Sequence, residues 1–436
     1  MKKTGIWGLS LLVVLFIAFY FILYPKLEIV SGYNAKIMCS CLFVTGLEET
    51  TAEDVDLGFG PLWIAGNEVN RETKTVRTSV FGLHPKAAIY REGLGCSLIH
   101  DRVKPDEKLP EIKIQDMSGW PDQPVGDSPE LAAVLEKAFD KPGEEKLNTR
   151  AVLVIKDGEI AGEAYAEGIT VDTPLLGWSM TKSLTATMAG VLVKDGYWDL
   201  DTTMPISEWE ESPRDDITLR NVLHMASGLE WNEEYGEVSP ATTMLYGSNN
   251  MGAYAASFPL EHEPETFFEY SSGTTNILSY AMASAFESDE EYIAFPYERI
   301  FKPLGAESFV LETDASGHFV GSSYGYASAR DWGKLGLLFL NEGNIYGKQI
   351  LDSSWVRFCR TPTKESDGIY GGHFWIPHSR GELGYHPTDY AMDGFQGQRV
   401  SIHPEDNMVI VRLGVMYDES DFDFGAWVEE IREVVK

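Results

Sequence analysis

Ser179-Met180-Thr181-Lys182 is the stretch on which the reading of this chain turns. It follows Pro174-Leu175-Leu176-Gly177-Trp178 and opens a helix-like run over residues 179–194. A serine three residues ahead of a lysine on a helix sets hydroxyl and amine on one face, one turn apart. A serine hydroxyl is a poor nucleophile until a neighbouring base takes its proton, and a lysine can do so when its amine is held neutral. The free N–H groups of a helix N-terminus also favour negative charge at that end. The pattern therefore points to an acyl-transfer nucleophile. It is short, and a chain of this length contains about one by chance; among all the serines it occurs only here. The surrounding sequence has to carry the rest.

Two further stretches supply it. Tyr270-Ser271-Ser272-Gly273 precedes another helix-like run, residues 276–286. A phenol can relay a proton between nucleophile, leaving group and lysine, although a tyrosine in a turn is common. Asp393-Gly394-Phe395-Gln396-Gly397-Gln398 leads into a strand. Its glycines permit close backbone approach, so that an N–H can face a developing oxyanion.

In this order the three resemble the serine β-lactamase and penicillin-binding protein superfamily, which pairs Ser-x-x-Lys with a Tyr-x-Asn or Ser-x-Asn motif and a Lys-Thr-Gly strand. The likeness is to class C-type serine hydrolases, including esterases and 6-aminohexanoate-dimer hydrolases. It extends to Gly177-Trp178, Met225-Ala226-Ser227-Gly228-Leu229, Pro303-Leu304-Gly305 and Ala329-Arg330-Asp331-Trp332-Gly333, and covers about residues 125–436. The resemblance implies an α+β, β-lactamase/transpeptidase-like fold, an antiparallel sheet flanked by helices with a helical subdomain. It also implies Ser179 as the acylated nucleophile, Lys182 as its proton partner and Tyr270 as the second-motif tyrosine. Ser179 N–H and Gln398 N–H would form the oxyanion hole beside Gly397. Two departures stand out. Ser272 occupies the usual Asn position, and no Lys-Thr-Gly or His-x-Gly appears on the last strand, which lowers the expectation of β-lactamase activity. The extension, with Ala35-Lys36-Ile37-Met38-Cys39 and Gly93-Leu94-Gly95-Cys96, looks like one carried by membrane-associated members.

Other residues carry weaker signals. Tyr235, on the polar stretch 233–236, is a candidate cleft residue. His224 reads as a core histidine, and His262, His373, His378 and His386 lack metal-ligand spacing. There is no Gly-x-Ser-x-Gly elbow and no phosphate-binding glycine loop, so neither an α/β-hydrolase nor a cofactor is expected.

The chain has 436 residues and a formal net charge of −32, which argues against nucleic acid as a partner. Met1-Lys2-Lys3 precedes an apolar run over residues 5–24, long enough to span a bilayer. A cleaved signal peptide is the alternative, but Tyr24-Pro25-Lys26 offers no small-x-small site. The expectation is residues 1–25 as a transmembrane anchor or signal, with the lysines cytoplasmic and the remainder in the periplasm or outside the cell. Residues 26–116 alternate apolar runs (37–44, 87–98) with Gly and Pro breaks and read as a β-rich extension with little helix. Residues 104–128 read as a linker, within or just before a catalytic domain over 117–436. Strands at 151–155, 160–165, 398–403 and 408–413, with helices between them and at 424–435, suggest one antiparallel sheet completed by both termini. Cys39, Cys41 and Cys96 fall in the extension and Cys359 far from it; three complete pairings are open, among them a Cys39–Cys96 bridge, which an extracytoplasmic compartment permits.

The sequence thus predicts a membrane-anchored serine hydrolase that cleaves a small-molecule amide or ester through an acyl-enzyme. The alternatives are a peptidoglycan DD-peptidase, D-aminopeptidase or β-lactamase on the same fold, and a non-catalytic penicillin-binding-type sensor.

Overall fold

The structure, a computed structural model, describes residues 21, 23–99, 128–143 and 146–435. Most of the apolar run at 5–24 and of the expected linker at 104–128 therefore lies outside the described residues.

The extension opens with helix α1 (Tyr24–Ser40), continued by a wider turn over Cys41–Thr45. Four antiparallel strands follow in the order β1 (Gly66–Asn70), β2 (Thr75–Val80), β3 (Leu83–Arg91) and β4 (Gly95–Leu98). The expectation of little helix here is wrong, and residues 37–44 are not a strand. The cause is burial on every side: almost every residue of α1 from Val30 onward is buried, so the segment reads as an apolar run without helical period. The segment Tyr24–Thr45 is long and apolar enough to cross a membrane, yet 67% of its most apolar window is buried inside the protein. It also carries Lys36, whose ammonium pairs with the fully buried Glu312. Its packing makes it a core helix. Ser40 Oγ (2.9 Å) and the Cys96 amide (2.6 Å) also donate to Glu312, and Cys39 is disulfide-bonded to Cys96. Cys41 and Cys359 are buried free thiols.

The remaining chain forms a layered α+β body. In chain order come α2 (Pro129–Leu135), β5 (Thr149–Lys156), β6 (Glu159–Tyr165), α3 (Met180–Lys194), α4 (Leu219–Leu223), α5 (Pro240–Gly247), α6 (Ser272–Met282) and α7 (Ala329–Leu340). Then follow β7 (Tyr390–Gly394), β8 (Gln398–His403), β9 (Met408–Gly414) and α8 (Phe424–Val434). The central sheet has the order β7-β8-β9-β5-β6 with every pair antiparallel, so both ends of this part of the chain complete one sheet, as the sequence suggests. Residues 151–155 are uniformly apolar because both faces are covered. Ala151, Leu153 and Ile155 enter the large core, whereas Val152 and Val154 pack beneath α2 and α8 with Leu131, Trp427 and Ile431. Gly333 and Gly336 let α7 lie close on the sheet: a Cβ at either position would come within 3 Å of Ile155, Leu153, Val409 or Val400 side chains. The extension shares the large core through Ala35, Met38, Val76 and Ala88.

Candidate active site

Ser179 sits at the N-cap of α3, the helix enclosed by the body, and its side chain makes no capping bond to the helix. That is unusual for a serine in this position, and it leaves the hydroxyl to other partners. The approach is tightly built. Gly177 lies against Trp332, where a Cβ would come 2.3 Å from the indole. Trp178 is held in the left-handed region at φ +46°, a cost that surrounding packing must offset. Its indole donates to Gln396 Oε1 (3.1 Å), a residue also left-handed at φ +66°. The two constrained residues fix the last turn before β8 against the start of α3.

Lys182 Nζ lies 3.0 Å from Ser179 Oγ, 3.0 Å from Ser272 Oγ and 3.1 Å from the Ser322 carbonyl. The lysine is buried, and desolvation lowers its pKa to about 8 against the opposing charge of Glu233. A neutral amine in this place donates to Ser272 and Ser322 and keeps its lone pair for the Ser179 proton. Tyr270 brings its ring over the same nitrogen, 4.8 Å from Nζ to ring centre, and packs on Trp375. Burial pushes its hydroxyl well above the usual range, and a hydrogen bond with Ser179 pulls it part of the way back. Tyr270 is therefore held as a phenol, while the lysine is the group that gives up its proton near neutral pH.

Behind Lys182 stands a residue that the sequence reading passed over. Glu233 accepts from Trp231 Nε1 (2.6 Å), the Tyr235 hydroxyl (2.6 Å), the Ser272 amide (2.9 Å) and the Ser272 hydroxyl. Ser272 thus hands its proton to Glu233 and turns a lone pair toward Lys182. Tyr235 lines the cleft, with its hydroxyl 3.1 Å from Ser272 Oγ. The only sequence signal for Glu233 was its place two residues before Tyr235.

Ser179, Lys182, Tyr270 and Tyr235 converge; the Gln398 side chain and the Gly397 amide are engaged elsewhere, although Gln398 pairs with Gly394 beside Ser179. Gln398 is buried, and its side chain donates to the carbonyls of Phe395 (3.2 Å), Gln396 (3.2 Å) and Gly414 while accepting from the Gly414 amide (3.0 Å). It staples the turn from inside the sheet. Gly397, at φ +73°, donates its amide to Glu419 (3.1 Å). The part of this loop beside Ser179 begins at Gly394: a Cβ there would lie 3.2 Å from the Ser179 amide, 3.1 Å from Gln398 Cβ and 2.3 Å from the Gly177 carbonyl, and Phe395 lines the cavity with Ser179. Among the described residues no acceptor is bonded to the Ser179 amide.

The cavity that opens at Ser179 measures about 410 Å³. Its walls are mostly apolar and come from α1, the 59–62 turn, α5 and Phe395. Among the described residues no group of three or more His, Cys, Asp or Glu could hold a metal ion.

The layered sheet and the cluster at the head of its enclosed helix define a β-lactamase/transpeptidase-like protein. The Beta-lactamase family profile matches residues 135–415, and the chain belongs to that family. A 6-aminohexanoate-dimer hydrolase of Paenarthrobacter ureafaciens is 24% identical over 299 residues, 62% of this chain and 73% of that protein. A putative 6-aminohexanoate-dimer hydrolase from Bacillus anthracis superposes with a TM-score of 0.56 at 23% identity, over 70% of this chain and 79% of that one. A family VIII carboxylesterase superposes with a TM-score of 0.55 at 16% identity, over 70% and 97%. The protein is thus a β-lactamase-fold relative of amide and ester hydrolases.

Proposed function

We propose that this protein is a serine hydrolase that cleaves an amide or ester through an acyl-enzyme on Ser179. The observation that carries this reading is the buried Lys182 amine, with a pKa of about 8, placed 3.0 Å from the Ser179 hydroxyl. Lys182 takes the Ser179 proton as the oxygen attacks the carbonyl. Tyr270, a phenol at this pH, donates to the leaving group and is reprotonated through the lysine. The tetrahedral oxyanion is held by the Ser179 N–H and the N–H of Phe395 at the end of β7, in place of Gln398. Water then attacks the acyl-enzyme with the same groups acting in reverse. No cofactor takes part. Residues 117–436 act as the catalytic domain and 26–116 as its extension, held at the outer face of the inner membrane by the apolar run at 5–24, in the periplasm or outside the cell.

Treatment with a fluorophosphonate followed by intact-mass and peptide analysis tests the reading. One adduct on Ser179, absent in Ser179→Ala, is expected. A folded protein that takes no label, or takes it elsewhere, overturns it.

A further inference from the structure

The Ser179 cavity is built from both the catalytic body and the extension. Lys26, Ile29, Val30 and Tyr33 of α1 all line it. They fall at i, i+3, i+4 and i+7, one face of the helix, starting two residues after the apolar run ends. The lining is mostly aliphatic and aromatic, its polar side chains being Ser179, Ser323, Thr242 and a partly exposed Lys26–Glu237 ion pair. At about 410 Å³ it is within the range that encloses a ligand of several atoms in length.

A second set of observations concerns the outside of the same end. Tyr24 packs on His84, ring centres 4.0 Å apart, which brings the β2–β3 turn to the start of α1. That turn exposes Phe81 to 82% and holds it left-handed at φ +52°, where a two-residue hairpin favours Asn, Asp or Gly. Phe21 is 71% exposed, Leu23 52%, and Trp63, next to the cavity residue Leu62, 74%. Phe21 and Leu23 run directly into α1, Trp63 adjoins the lining residue Leu62, and Phe81 lies on the turn that reaches Tyr24. Exposed bulky apolar side chains on the segments that build a cavity wall mark a surface that meets something apolar, and aromatic residues suit the bilayer interface.

Given the reading of Ser179 as nucleophile, on which this rests, we infer that the substrate is a single-chain acyl amphiphile, an ester or amide taken from the membrane interface. Its carbonyl sits at Ser179 and its aliphatic chain fills the cavity between α1 and α5. The apolar collar of Phe21, Leu23, Trp63 and Phe81 seats the mouth in the interface, and the extension is the wall that makes the site selective for a chain.

The full-length protein in phosphatidylcholine vesicles, assayed on para-nitrophenyl esters from acetate to dodecanoate, tests this. Each methylene buried is worth about fourfold in kcat/KM, so a rise of about three- to fourfold per methylene is expected until the cavity is full. Val30→Trp, which fills the cavity, should flatten that rise; Ile29→Phe is the milder second variant. Trp63→Ser with Phe81→Ser should lower the ratio of dodecanoate to butanoate turnover. Fluorophosphonate labelling of Ser179 is run in parallel on every variant. Labelled wild-type enzyme with a flat or falling chain series overturns the substrate class alone, as does a rise that survives labelled Val30→Trp and Ile29→Phe. Absence of labelling in the wild type overturns the parent reading instead.

Discussion

Replacing Glu233 by Gln removes one negative charge from the site while nearly keeping its shape, and the geometry fixes the sign of the result. Glu233 is separated from Lys182 by a single oxygen, Ser272 Oγ, which touches both. Its charge raises the lysine pKa against the desolvation that brings it down to about 8. Without that charge desolvation acts unopposed, and the pKa falls further. Two hydrogen bonds in series put the charges about 5 Å apart, which at an effective dielectric of about 20 is about 3 kcal/mol, or about two pK units as an upper bound. Lys182 is a base only when neutral, so wild-type kcat/KM is expected to rise with pH through about 8. In Glu233→Gln that limb should move toward acid by about one to two units. The single acceptor oxygen of Gln cannot serve four donors, so kcat should also fall; the position of the limb, rather than the height of the profile, is the readout. Hydrolysis of para-nitrophenyl acetate measured from about pH 6 to about pH 10 supplies the profile. A limb that stays in place, or moves toward base, refutes the assignment of Lys182 as the base tuned by Glu233.

Three further outcomes are expected. Gly394→Ala should cut kcat about a hundredfold, with the far-UV circular dichroism unchanged, because the new Cβ collides with the Gly177 carbonyl beside the Ser179 amide; wild-type turnover would show that this contact does not position the serine. Lys36→Met leaves the buried Glu312 without its partner, and should cost about 3–5 kcal/mol in urea denaturation; an unchanged midpoint would contradict the pairing. Cys39→Ser with Cys96→Ser opens a loop of 57 residues and should cost about 4 kcal/mol by the chain-entropy model; a thermal midpoint equal to that of the disulfide-bonded protein would show that the bridge does not hold the extension.

The Ser179–Lys182 pair was legible because its information is local. Ser179 and Lys182 are one helical turn apart, and a helix alone brings them together. The central sheet was legible for a similar reason: the strands at 151–165 and 398–413 are hairpins whose turns lie in the sequence between them. Helix α1 was misread because a helix buried on every side shows neither the period of an amphipathic helix nor the alternation of a strand. The surroundings of Gln398 were not legible. A glycine-rich turn does not reveal which of its amides faces outward until the sheet register is set, and that register turned Gln398 inward.

By itself, then, the sequence determined the elements whose partners lie within a few residues: the Ser179–Lys182 pair, the hairpins of the central sheet, and the α+β class that follows from their order. It also determined the acidity and the apolar run at 5–24. Only the tertiary structure decided which distant groups share the site. Glu233 reaches Lys182 through Ser272 across 39 residues of chain, the Gly394 backbone meets Ser179 from the far end of the sheet, and α1 closes the cavity over both. These are long-range contacts between groups that hold no fixed spacing in sequence. Each is set by how the helices and the sheet pack, and packing depends on the shape of the whole core.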